Sequence, residues 1–119
     1  HGSVSMDDKA KMVEFFYKFI ALGNNVITIT PDGHVTADHF SERSGLDDLQ
    51  SRVGGLIEIA CQGKHKGDDW IVYVNEEGLL KGLEKNSLGN MLCEGLLGHP
   101  AHQPFFGNMV FLYGRNIIE

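Results

Sequence analysis

The groups that could do chemistry in this chain are six histidines, two cysteines and sixteen acidic residues. The sharpest spacing is His99-Pro100-Ala101-His102, which sets two imidazoles three residues apart. Cys61, His65 and Cys93 could join them, because a zinc site needs three or four nitrogen, sulfur or carboxylate ligands around one point. However, Cys61 falls in a strand-like run, Cys93 in a helical one, and no C-x-x-C knuckle gathers the thiols. Free cysteines in such runs are commonly small buried hydrophobes. A metal-dependent enzyme using His99 and His102 therefore stays a rival reading, and no metal or other cofactor is expected. Either cysteine could act as a nucleophile beside a histidine. No local motif supports this, and Cys93 sits near the end of its helix, where the dipole disfavours a thiolate. Ser44 and Ser87 lack a nucleophile elbow.

Glu76 and Glu77 occupy a turn, with Glu58 on the strand before it. A glycosidase-type pair needs carboxyls about 5–10 Å apart across a cleft. A domain this small has little room for a sugar cleft, and a solvated turn explains the pair. Arg52-Val53-Gly54-Gly55 and Gly82-Leu83 match neither the P-loop nor the dinucleotide fingerprint. The Gly-Gly follows a helix, whereas phosphate cradles precede one. Asn75, Glu76, Lys81 and Asn86 form the better candidate, a ligand-binding corner between strand, turn and helix. Asn86 would present free N–H groups at a helix N-terminus, suited to an anion, and Lys81 would add charge. The structural alternative makes Asn75 a left-handed turn residue, Glu76 a cap and Asn86 the helix N-cap.

The elements that must position these groups can be read from periodicity. Residues 7–22 form a helix, with Asp7 and Asp8 at its start and Val13, Phe16 and Ile20 on one face, widened by Met12, Phe15 and Phe19. Its phenylalanines are expected to pack in the core. Residues 26–30 read as a strand, Pro31-Asp32-Gly33 as a turn, and residues 34–40 as an extension of that hairpin. A short helix follows over 44–53, with Leu46, Leu49 and Val53 sharing a face. Residues 56–61 and 70–75 form an antiparallel pair joined by a long polar loop, 62–69. Residues 79–83 are extended, a helix runs over 87–96 behind Asn86, and 109–113 close the chain as a strand. The fold class is α+β: a mixed or antiparallel sheet of about four strands, two short helices and an added N-terminal helix. The last six elements fit a ferredoxin-like split βαβ order.

The length of 119 residues fits one domain, expected over residues 6–119. Residues 1–5, which precede Met6, read as an expression-tag remnant. A net charge of −6 argues against nucleic acid as a partner, since no basic stripe is present. Asp7-Asp8 after Met6 is not the start of a signal peptide, so the thiols are expected to stay reduced in a cytoplasmic protein. No apolar run approaches the roughly 18 residues that span a bilayer.

Three segments carry a resemblance. Leu49-Gln50-x-x-Val53-Gly54-Gly55-x-Ile57-Glu58 comes first. Val74-Asn75-Glu76-Glu77-Gly78-Leu79-Leu80-Lys81-Gly82-Leu83, followed by Asn86, comes next, and Gly107-Asn108-Met109-Val110 ends the set. In this order they resemble the family of domain of unknown function 3846, over about residues 26–114. The resemblance implies a small cytoplasmic accessory protein of bacteria, their viruses or mobile elements, and no assigned activity. The helix 7–22 lies outside the shared part and reads as an added core element or contact surface. The leading expectation is a non-enzymatic binding module for a protein or small-molecule partner, with homo-oligomers open to it. The rival to it, beside the metal enzyme, is a protein that sequesters a nucleotide-like anion at an oligomer interface.

Overall fold

A computed structural model describes residues 6–39, 45–65, 67–78, 80–100 and 103–114. Phe40, Ser44, Leu79, His102 and residues 1–5, which entered the sequence reading, lie outside these. The elements are α1 (Met6–Ala21), β1 (Val26–Ile29), β2 (Val35–Asp38), α2 (Gly45–Val53), β3 (Ile57–His65), β4 (Asp68–Asn75), α3 (Ser87–Leu97) and β5 (Met109–Tyr113). All pairings in the five-stranded sheet are antiparallel, in the order β2-β1-β5-β4-β3.

The strand sequences report their place in this order. VITI, WIVYV and MVFL are runs of β-branched, aromatic and other large side chains without charge, and these residues of β1, β4 and β5 are buried from both sides. VTAD of β2 alternates between half-buried and exposed, as an edge strand covered on one face does. One face of the sheet carries Ile27, Ile29, Val72, Val74, Met109 and Phe111 against Phe16 of α1 and Leu92 of α3. The other carries Val26, Ile71, Tyr73, Val110 and Leu112 against Leu49 and Val53 of α2. The result is three layers, with helices on both faces.

This corrects the ferredoxin-like expectation. A split βαβ sheet keeps both helices on one face and its last strand at the rim. Here β5 lies between β1 and β4, and α2 lies opposite α1 and α3. The coarser reading, an α+β domain on an antiparallel sheet, holds. The sheet has five strands because β2 forms the hairpin that residues 34–40 suggested. The expected long loop 62–69 is mostly strand, since His65 already pairs with Asp68. Gln62 and Lys64 stand in solvent while their backbones continue the ladder, and Lys64 faces Asp69 across it at 3.5 Å. Residues 80–82 form turns instead of an extended segment.

Two local devices shape the layers. A bulge between Ile59 and Cys61 leaves Ala60 without an opposite residue on β4. Ile57 packs on the α2 side, and Ile59 shares its alternation. The extra residue shifts the register, so Cys61 pairs with Val72 and packs on the α3 side. At the α1–α3 crossing, Gly95 allows close approach. A Cβ there would lie 2.8 Å from the Val13 side chain and 3.0 Å from the Lys9 carbonyl. Phe16 anchors α1, meeting Phe111 and Tyr113 edge-on at 6.2 and 6.0 Å. Phe15 stays 55% exposed beside an apolar cleft of about 260 Å³, lined also by Met12, Phe19, Val35 and Leu88.

Two outcomes follow from these packings. Among the described residues, the Thr28 hydroxyl is buried on the α2 side without a hydrogen-bond partner. Leaving such a group unpaired costs about 1–3 kcal/mol, so Thr28→Val should raise unfolding stability by about 1 kcal/mol in urea titration. Burial, and secondarily Tyr113, push the Tyr17 hydroxyl from 10.0 up to about 12. The folded state thus holds this proton more tightly than the unfolded chain. The stabilisation is complete below pH 10.0 and lost as pH rises through about 12. Tyr17→Phe should flatten the fall in melting temperature across that window.

Candidate functional site

The C-terminal end of α2 opens into a pocket of about 480 Å³. Helix ends leave carbonyls without intrahelical partners, and here two side-chain amides supply them. Asn108 Nδ2 donates to the Arg52 carbonyl at 2.9 Å, and Asn75 Nδ2 to that of Val53 at 3.4 Å. Asn75 is buried at the end of β4, and its Oδ1 accepts the Glu77 N–H at 2.8 Å, which shapes the turn. That turn brings Lys81 back over the helix end, where its Nζ pairs with Glu77 Oε1 at 3.5 Å. A Cβ on Gly55 would sit 2.8 Å from Asn75 Nδ2 and 3.6 Å from Lys81 Nζ. A cation at a helix C-terminus is favourably placed against the dipole.

Asp32 and Glu84 complete the charged lining, with Leu83 and Gly107 between them. The Thr30 hydroxyl donates to the Asp32 carboxylate and, with the His34 N–H, holds it below its ordinary range. Among the described residues, the pocket lining therefore has two acids and the negative end of a helix against one ammonium. Sequence reasoning singled out Asn75 and Lys81. It missed Glu84, three residues beyond Lys81, and Asp32 and Asn108, which come from distant turns. Gly107-Asn108 was visible only as part of the family pattern.

The remaining candidates lie elsewhere. Glu76 is exposed and lines a separate cleft of about 280 Å³ with Glu58 and Phe105. Asn86 is wholly buried. Its Nδ2 donates to the carbonyls of Ile29 at 2.7 Å and Gly107 at 2.9 Å, and its Oδ1 accepts the Gly89 N–H at 2.8 Å. It caps α3 and straps the helix start to β1 and to the approach of β5. Asn90 assists from the next turn, where its amide brackets Phe105 through the backbone N–H and C=O. A polar residue on the inner side of a predicted helix was its sequence signal.

His99 is exposed beside a cleft of about 400 Å³ with Cys61, Glu58, Gln62 and Gln103. Its Nδ1 lies 2.9 Å from the Pro100 carbonyl. Its proposed partner His102 lies outside the described residues. Among the described residues, no group of three or more histidine, cysteine or acidic side chains is placed to hold a metal ion. The cysteines, expected as separate reduced thiols, are joined as a Cys61–Cys93 disulfide. The bulge at Ala60 explains the meeting, because it turns Cys61 toward α3.

This architecture is that of an α+β domain with a fully antiparallel sheet between helical layers. The chain belongs to the DUF3846 family, described as a domain of unknown function, which matches residues 24–116. No curated protein and no solved structure matches it. Helix α1, Met6–Ala21, precedes the matched segment. No helix among the described residues is long and apolar enough to cross a membrane.

The Asn86 network yields a direct test. Asn86→Ala removes the α3 cap and leaves two buried carbonyls unpaired, which should cost about 2–4 kcal/mol in chemical denaturation. Asn86→Asp keeps an acceptor for Gly89 but loses both donations, so it should also destabilise strongly. If it unfolds like the parent chain, the strap to β1 and β5 has no energetic weight.

Proposed function

We propose that this protein is a non-enzymatic binding module, an accessory protein of the phage or mobile-element type, whose ligand site is the pocket at the end of α2. One observation carries this reading: Asn75, Lys81, Asp32, Glu84 and Asn108 converge on one cavity of about 480 Å³. The groups are suited to holding a ligand. Amides offer hydrogen bonds, and the charges fix orientation. A nucleophile with a base would favour catalysis, and among the described residues no such pair lines this cavity.

The charge balance points to the ligand's character. With Asp32 and Glu84 in the lining against Lys81 at the helix C-terminus, a small molecule bearing an ammonium or guanidinium group is favoured. Lys81 could meet a carboxylate on the same molecule. A nucleotide-like anion would meet two acids for one ammonium.

A thermal-shift panel on the untagged chain, with amino acids, polyamines and mononucleotides as probes, tests this. We expect an amine-bearing probe to raise the melting temperature and Lys81→Ala with Asp32→Asn to abolish the rise. At a free ligand concentration of 100 times Kd the stabilisation should approach about 2.7 kcal/mol. A rise with mononucleotides alone would transfer the function to anion sequestration. No rise with any probe would remove the small-ligand reading.

A further inference from the structure

We propose that Cys61 and Cys93 form a reversible thiol-exchange site for low-molecular-weight thiols and disulfides, with Cys61 the sulfur that exchanges and Cys93 the one that resolves. The two are the chain's whole complement of cysteine, and 32 positions separate them. Their environments differ sharply. Cys93 is 0% exposed in the inner face of α3, packed among the core side chains of that layer. Cys61 is only partly buried and forms a wall of the 400 Å³ cleft shared with Glu58, Gln62, His99 and Gln103. A tripeptide-sized thiol can therefore approach Cys61 from solvent, but has no path to Cys93.

The bulge at Ala60 is what creates the pair. Without the extra residue, the strand's alternation would place Cys61 on the α2 side of the sheet with Ile57, away from Cys93.

Starting from the reduced pair, the Cys61 thiolate attacks one sulfur of glutathione disulfide. A Cys61–glutathione mixed disulfide forms, and one glutathione thiolate leaves and takes up a proton. The Cys93 thiol then loses its proton and attacks the Cys61 sulfur, closing the protein disulfide and releasing the second glutathione. Overall, two protein thiols are oxidised and one glutathione disulfide is reduced to two thiols. Excess thiol drives the same steps backward. Attack on the other sulfur is blocked because Cys93 is enclosed.

The bond has a mechanical consequence. β3 is an edge strand, held by hydrogen bonds on the β4 side alone. The disulfide adds a covalent tie to α3, and opening it leaves the outer half of β3 free to open locally.

The reduced full chain, incubated with glutathione disulfide and read by intact mass, tests this. Wild type should end without adduct and lighter by two hydrogens. Cys93→Ala should hold one stable glutathione, and Cys61→Ala should take none while folded. Amide hydrogen exchange on wild type, which needs no variant to fold, should be at least tenfold faster in residues 57–65 after reduction, with β4 and β5 unchanged. Equal glutathione capture by Cys93 in Cys61→Ala would overturn the assignment of roles. A wild-type chain that keeps its adduct without closing, or whose β3 exchange ignores reduction, would overturn the site.

Discussion

β5 lies between β1 and β4, and the backbone ladder that joins the two hairpins of this sheet runs through it. On one side are β1 and β2, on the other β3 and β4. Met109, Val110, Phe111 and Leu112 are all buried, so the strand contributes to both helical layers at once. It is also the last element among the described residues. Val26 pairs with Leu112, which makes the central contact of the sheet one of its longest in sequence. Such closure is entropically expensive before it is rewarded. The polar work of the molecule is arranged around it. Asn86 holds the approach to β5 against β1 and α3, while Asn108, just before the strand, reaches across to α2.

Much of this was legible because burial writes itself into residue type. The three inner strands could be read from VITI, WIVYV and MVFLY, which leave no alternation for solvent. The helix ending near Leu97 could be read from its apolar face and from Asn86 ahead of it. What could not be read was which strand sits beside which. A chain that orders strand, helix, two strands, helix and strand is compatible with a final strand at the rim or in the middle, and no local propensity distinguishes them. The strand pairings decide it, and the helix faces go with them: Leu49 and Val53 share a cluster with Tyr73 and Leu112, and Leu92 shares one with Met109 and Phe111. The loop reading of 62–69 failed for a different reason. Charge marks solvent exposure, and an edge hairpin beyond the helices is as exposed as a loop.

The candidate site divides along similar lines. Asn75 and Lys81 were found because turn chemistry is local. Asp32 and Asn108 were not, because their convergence depends on the topology that local signals leave open; Glu84 lies three residues past Lys81 but marks no turn or cap of its own. Asn86 shows how one residue type serves two readings. At the sequence level a helix-start asparagine advertises an anion site, but here its own oxygen takes the free N–H and its nitrogen is committed to two carbonyls. The cysteines show the opposite case. They read as unrelated small hydrophobes until the register shift at Ala60 is known.

That same shift bears on how copies of the chain can meet. A sheet ordinarily grows by accepting a new strand along an open rim. β2 offers only four residues there, ending at Asp38, whose carboxylate is held by Arg52 at 3.0 Å. β3 offers nine, but the interruption at Ala60 breaks the regular spacing of its outward N–H and C=O groups near the middle. A second chain could match that rim only by carrying a complementary irregularity. Both margins are thereby poor templates for fibre-like stacking.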